Sequence, residues 1–303
     1  MQDDPTALLR KHGKSFNFAR LFLGSKTGIA AARLYRFCRI IDDIADESED
    51  KDEAEKHLNE IKEAIVHNNK EHKLVGDFLR LCEEFGIDRK NGNTLIEGVS
   101  EDLSLQALST ENEIIQYAYK VAGVVGLMMA PILSAENKGH RFAIDLGIGM
   151  QLTNIARDVM EDAQMNRRYI PGLWIHNLSA KEIVLSGANE RDGMQKAIIK
   201  LLDLAEEYYQ SGLAGLYYLP SRNRKAIAVA AYVYREIGRK LRRQNCRYWQ
   251  GRVVVSTPIK MQLACRALWD LSTRKLAHRS IEHRSELHGH LATVMLPKLA
   301  SQK

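Results

Sequence analysis

The segment QLTNIARDVMED, residues 151–162, decides how the rest of the chain is read. Leu152, Ile155, Val159 and Met160 recur at helical spacing, which marks a helix with a buried face. Gln151, Asn154, Asp158 and Asp162 run beside them at intervals of three and four, so two amides and two carboxylates share one stripe. Upstream the flank is apolar apart from Arg141 and Asp145. A carboxylate pair on such a face must be protonated, ion-paired or bound to a cation. Arg157 offers the ion pair; a metal is the other solution.

A second acidic helix stands in LYRFCRIIDDIADESEDKDE, residues 34–53. Asp42 and Asp46 are four apart and share a face, whereas Asp43 points elsewhere. Taken alone, DDIADESED reads as a solvated helix end. Taken with the first stripe, two Asp-x-x-x-Asp helices facing one another would form an acidic mouth. Hard ions such as Mg²⁺ prefer carboxylate oxygens and share their remaining sites with phosphates. Asn154 adds a neutral oxygen, Arg39, Arg157 and Arg167 would grip phosphate oxygens, and Tyr169 could donate a further hydrogen bond. These parts suit ionisation chemistry, in which cations stabilise a departing diphosphate and an allylic carbocation stays behind.

The whole chain is consistent with that reading. Its 303 residues suffice for a sizeable core, and 45% apolar with 27% charged residues excludes global disorder. Few prolines and abundant Ala, Leu, Glu, Lys and Arg point to an all-α protein, and the lack of a linker or repeat predicts a single domain over 1–303. The 3.6-residue period predicts helices over 15–23, 27–48, 51–68, 71–86, 91–108, 111–134, 137–164, 189–217, 221–247, 258–278 and 280–298, with an irregular stretch at 167–182. The net charge of +6 suits an anionic partner: nucleic acid, an acidic membrane or a phosphorylated substrate. Four scattered cysteines suggest neither disulfides nor a zinc site, and no two histidines share metal-ligand spacing on a helix. The opening MQDDPTALLRKHGK does not read as a secretory signal, which fits a cytoplasmic setting. The uncharged run VAGVVGLMMAPILSA, 121–135, is shorter than the roughly 20 residues of a membrane span and reads as a buried helix, either core or cavity wall. In that run Gly123 and Gly126 would permit close helix contact.

The motifs YRFCRIIDDIAD (35–46) and QLTNIARDVMEDAQMNRRYIP (151–171) resemble the two signature segments of the squalene/phytoene synthases. KHGKSF (11–16), YAYKVAGVVGLMMAPIL (117–133), YVYREIG (232–238) and GRVVVSTPIK (251–260) match further family segments in the same order, so the resemblance covers roughly residues 10 to 275. The Arg-x-Tyr-x-Pro element at Arg167, Tyr169 and Pro171 is characteristic of the phytoene synthase branch. What the resemblance implies is a single-domain helical bundle of the isoprenoid synthase type around a central cavity. It further implies head-to-head condensation of two geranylgeranyl diphosphates to phytoene through a cyclopropyl diphosphate, in carotenoid biosynthesis. By matched position, Asp42, Asp46, Asp158 and Asp162, with Asn154, would hold Mg²⁺ or Mn²⁺, and no NADPH is expected. Gln151, Arg39, Arg157, Arg167, Arg252, Tyr35, Tyr169 and Tyr234 fall at diphosphate-contacting positions, Tyr234 counting among the catalytic set. Ser15 and Phe16 match a flap over the site, and Lys260 would add charge at its rim. Gly13, Met160 and Asn166 depart from the usual serine, glycine and glycine, which bears on flap and loop geometry.

Rival readings follow from the same residues. Farnesyl diphosphate would give squalene, hydroxysqualene or diapophytoene, and a terpene cyclase would also use acidic helices with Mg²⁺. The basic segment 235–252, with Tyr248 and Trp249 as stacking residues, could bind nucleic acid, but that leaves the aspartate stripes unexplained and no nucleic-acid partner is expected. The tail 274–300 either lies on anionic lipid at the inner membrane face or caps the bundle. Downstream carotenoid enzymes are further candidate partners.

Overall fold

The computed structural model describes residues 5–48, 50–104, 107–273, 275–277 and 280–295. Helices α1 (Pro5–His12), α2 (Lys14–Arg20), α3 (Ser25–Glu47), α4 (Lys51–Val66), α5 (Val75–Phe85), α6 (Lys90–Ser104) and α7 (Glu111–Ala118) build the first part. They are followed by α8 (Val124–Ile132), α9 (His140–Arg157), α10 (Val159–Gln164), α11 (Ala180–Leu185), α12 (Ala188–Ala214), α13 (Ser221–Arg243) and α14 (Thr257–Ser272). Among the described residues there is no strand, only an isolated bridge between Ala107 and Arg168. The all-α expectation therefore holds.

The helix carrying the 151–162 motif is the central one. α9 packs against α8, α12 and α13, and Ile144, Ile148, Leu152 and Ile155 are buried in a core that is continuous through the bundle. A helix enclosed on nearly every side is apolar all round, so polar groups left on it require a reason. Close approach of α8 and α9 depends on two glycines. A Cβ on Gly126 would lie 2.1 Å from the carbonyl oxygen of Ala143, and one on Gly147 would lie 2.3 Å from that of Ala122. Gly126 thus does what its sequence context suggested, while Gly147, on the facing helix, is its unforeseen counterpart.

A π-helical turn, Tyr119–Gly123, joins α7 to α8. The resulting run, Glu111–Ile132, has 22 residues and is long and apolar enough to cross a membrane by length and composition. Yet Tyr119, Val124 and Met128 are fully enclosed by protein, and 56% of its most apolar window is buried inside the bundle. The π turn places Val121 and Ala122 on the cavity wall; such turns recur at functional sites.

Several boundaries differ from the sequence expectation. α1 was not anticipated. The expected 137–164 helix is interrupted at Asp158 (φ −100, ψ 15), although the Asp162 N–H still donates to the Asp158 carbonyl at 2.8 Å and preserves the four-residue rise. The 280–298 segment is not an α-helix: residues 280–295 form an irregular strap with a 3₁₀ turn, Ser285–Leu291, because contacts with α9 and α12 override its helical period. Residues 296–298 lie outside the described residues. The irregular 167–182 stretch is found as expected, ending where Ser179 and Glu182 form the capping box of α11.

The seam yields a direct test. Gly126→Ala must push α8 off α9, and we expect a loss of roughly 1–3 kcal/mol in stability, read as a lowered Tm. A Tm equal to that of the wild type would show that the backbones can separate freely.

Candidate active site

An apolar cavity runs between α2, α3, α8, α9, α12 and α13, walled by residues such as Val125, Met129, Leu146, Met150, Leu216 and Ile227. Its lining on α9 extends from Phe142 to Asn154, about 18 Å at a rise of 1.5 Å per residue. At the head of the cavity Tyr35 and Asp42 from α3 meet Gln151 and Asn154 from α9 and Tyr234 from α13. Phe16, on α2, covers this head: its ring lies 4.9 Å from Tyr234 and 6.4 Å from Tyr35, with half-buried Ser15 beside it. Gly13 lies just before α2, where a Cβ would strike Leu9 at 2.7 Å and the Tyr35 ring at 3.0 Å, so the departure from serine tightens the cover.

The two aspartate helices do face one another. Arg167, just past α10, donates to Asp46 on α3 at 2.7 Å. Burial and then Asp46 push the Asp42 carboxyl up to about 8, against the pull of Arg39. Burial and then Asp158 push Asp162 up to about 8, against Arg167. Between them sits Asp102 on α6, raised by burial to about 6 although Tyr169 and Tyr117 donate to its two oxygens at 2.8 and 2.9 Å. Asp102 feels Asp46 and is felt by Asp42 and Asp162. A single field of crowded carboxylates results.

The arginines are engaged with part of that field. Arg157 and Arg252 both hold Asp158, the latter at 2.9 Å, while Arg39 pairs with Asp43. Asp43 is therefore not directed away from the site's chemistry but serves as the resting partner of Arg39. No arginine is hydrogen-bonded to Asp42 or Asp162 in the described contacts, and the Oδ1 of Asn154 is buried with no partner while its Nδ2 donates to Gln151 at 3.3 Å. Carboxylates with an unpaired amide carbonyl are the donor types of a hard divalent cation, although among the described residues no three of these carboxylates bring ligand oxygens within 4.8 Å of one another.

Two expected site residues stand differently. Tyr169 spends its hydroxyl on Asp102 and stacks on Tyr117, ring centroids 4.9 Å apart. Lys260 is buried on α14 rather than standing at the rim as an exposed charge, because it shares the buried face of that helix with Ala264, Ala267 and Asp270. Asp102 and Tyr117 were missed. The signal existed: Asp102 extends the buried stripe of Leu95 and Val99 on α6, a carboxylate where an apolar side chain belongs. The loop after α10 is fixed by Arg168, whose guanidinium donates to the carbonyls of Leu108 and Ile170 at 2.6 and 2.7 Å. Asn166 there takes φ 60, a conformation that asparagine tolerates, so its replacement of the usual glycine preserves the turn. Met160 packs half-buried against the core.

In the basic 235–252 segment the two aromatic residues and several arginines already have partners within the chain. Tyr248 is buried against Ser186, Arg191 lies over Trp249, and Arg235, Arg242 and Arg243 pair with Glu206, Asp203 and Glu236.

Comparison with known proteins agrees with the geometry. Residues 9–258 match the family model of squalene/phytoene synthase. The chain belongs to the squalene/phytoene synthase family. Among its family relatives, a 15-cis-phytoene synthase of Enterobacter agglomerans is 32% identical over 279 residues, covering 88% of this chain and 95% of the relative. A 4,4'-diapophytoene synthase of Staphylococcus haemolyticus is 28% identical over 249 residues, covering 78% and 86%. A crystal structure of a dehydrosqualene synthase in complex with ligand superposes with a TM-score of 0.79 at 26% identity, covering 89% of this chain and 95% of that one.

The raised carboxyls carry a pH signature. A carboxyl that binds its proton more tightly when folded stabilises the fold less as pH rises, so Asp42 and Asp162 withdraw stability from the metal-free protein between about pH 4 and about 8. Asp42→Asn removes one buried charge. We expect it to raise the metal-free Tm at pH 8, by the equivalent of about 1 kcal/mol or more, and to make the decline with pH shallower. An unchanged slope would mean that Asp42 is already neutralised by another group.

Proposed function

We propose that this family member condenses two molecules of geranylgeranyl diphosphate head to head, giving phytoene by way of a cyclopropyl diphosphate. The observation that carries the reading is a long apolar cavity headed by facing aspartate pairs and ringed by arginines. The phytoene synthases among its relatives support the C20 substrate. On this reading all the chemistry sits in one helical domain.

Asp42, Asp46, Asp158, Asp162 and the free Asn154 carbonyl would hold Mg²⁺, with Mn²⁺ as the alternative. Bound there, the metal would neutralise diphosphate charge and so assist its departure. Arg39, Arg157, Arg167 and Arg252 let go of their carboxylates and grip phosphate oxygens, where a planar guanidinium can bind through two donors at once. Tyr35 and Tyr234 have raised hydroxyl pKa values, chiefly through burial, so they stay protonated and donate. Tyr117 and Tyr169 orient Asp102 beneath the phosphates. Phe16 shields the head of the cavity, and the aliphatic walls keep water from the allylic cation until the C2–C3 double bond of the second substrate reaches it. Loss of a proton closes the cyclopropane. A second ionisation, rearrangement and proton loss then release the hydrocarbon. No electrons are gained or lost along this route, so NADPH has no part in it.

The site is expected to act in the cytoplasm, with peripheral contact at the inner membrane face suggested by the apolar substrate and product. The 280–295 strap packs on the bundle through buried Leu287 and Leu291, so lipid contact by that stretch would have to use its exposed residues. Flotation with anionic liposomes at low salt checks this; protein left at the bottom of the gradient rejects the contact.

Incubation with geranylgeranyl diphosphate and Mg²⁺, beside farnesyl diphosphate with and without NADPH, tests the reaction by mass spectrometry of the extract. A C40 hydrocarbon from the first tube is expected. A C30 product would move the substrate to farnesyl diphosphate, and an uncoupled cyclic product would replace condensation with cyclisation. Asp42→Asn and Asp158→Asn should each lower turnover at least about 100-fold with unchanged helical circular dichroism.

A further inference from the structure

Asp145 stands on α9 across from the cavity-lining Ala143 and Gly147 and one turn from Phe142, whose ring lies between the cavity and His283. It is completely buried, and its carboxyl has no role in the reaction described above. His283 Nε2 lies 2.8 Å from its Oδ2, His288 Nε2 lies 2.8 Å from its Oδ1, and the Ser211 hydroxyl donates to Oδ2. The two side chains of the strap are only 6% and 8% exposed. Their rings are held by packing: His283 meets Phe142 edge-on at 5.1 Å, and the two imidazole centroids are 4.4 Å apart. The backbone is fixed as well, by Tyr208 donating to the Leu287 carbonyl at 2.9 Å and by Tyr218 donating to the Ile281 carbonyl at 3.2 Å.

We propose that Asp145, His283 and His288 form a binding site for one divalent transition-metal ion, zinc foremost, which staples the C-terminal strap to the core behind the cavity floor. Two imidazole nitrogens and a carboxylate oxygen converge so that all three ligand atoms lie within 4.8 Å of one another. That is the donor set of zinc, whose bonds to nitrogen and oxygen are about 2.0–2.2 Å, and not that of Mg²⁺, which prefers oxygen and retains its water. Replacing the bridging protons by the ion requires only small shifts of rings already pointed at the carboxylate. As the ion displaces the two Nε2 protons, each ring carries its single proton on Nδ1 instead; in His283 that nitrogen is buried without a partner, a cost the metal bonds must exceed. Ser211 supports the carboxylate from outside the ligand set, as hydrogen-bonded groups do around metal sites. Water completes the coordination. The oxygen-only mouth at the other end of α9 and this nitrogen-containing site would thus sort two kinds of metal within one chain.

The test uses the full chain, stripped with chelator, dialysed and kept in excess Mg²⁺ so that the aspartate mouth is occupied. Zinc and, as a coloured probe, Co²⁺ are titrated in. We expect one equivalent bound per chain, a visible Co²⁺ spectrum with nitrogen ligands, and a Tm raised by roughly 4 °C or more at saturating zinc. His283→Gln and His288→Gln should each abolish the spectrum and the Tm shift, while Asp42→Asn retains both. Wild-type protein that binds no Co²⁺ in excess Mg²⁺ overturns the site whether or not the variants fold. Binding that survives in the histidine variants and vanishes in Asp42→Asn does the same.

Discussion

Asp42 and Asp162 are carboxyls held where water is scarce and like charges are near, and the rest of the structure is arranged around that tension. Burial disfavours their ionised form, and each further aspartate in the mouth adds repulsion. A fold serving only stability would replace them with apolar side chains. Here the bundle instead surrounds them with a ring of arginines and a pair of tyrosines, and suspends the whole from its central helix. The scaffold carries this cost through close packing elsewhere. The glycine seam between α8 and α9 brings two backbones together, and the core continues from there through α12 and α13.

Much of this was legible in residues 151–162 because a helical period exposes any polar group on an apolar stripe. The same logic paired Asp42 with Asp46 on one helix face. What the period leaves open is partnership. Arg39, Arg157 and Arg167 could be marked as expected phosphate ligands from their types and positions, and Arg252 from the family resemblance, but their resting contacts with Asp43, Asp158 and Asp46 depend on which way each side chain reaches. Asp102 was readable as one charge on an apolar stripe, yet its meaning comes from Tyr117 and Tyr169, which other segments deliver.

The C-terminal strap shows the limit from the other side. Its apolar spacing reads as a helix, but tertiary contacts decide its path. A search for paired histidines on one helix passes over His283 and His288, since their common partner, Asp145, lies 138 and 143 positions earlier. Lys260, placed at the rim by family resemblance alone, is instead buried, because it lies on the inward face of α14, which only the packing of that helix reveals.

The arginine–aspartate contacts of the resting mouth have a consequence for selectivity. Every guanidinium expected to grip phosphate already has a carboxylate partner, so an arriving anion must strip cations from aspartates that then stand bare in a poorly hydrated space. Inorganic phosphate brings nothing to compensate them. On the proposed reading, a diphosphate arriving with its own metal would supply that compensation, because the cation would occupy Asp46 and Asp158 as Arg167, Arg157 and Arg252 turned to the phosphate. On that reading the mouth would favour the neutralised complex over simple anions through its resting ion pairs, with no steric gate required.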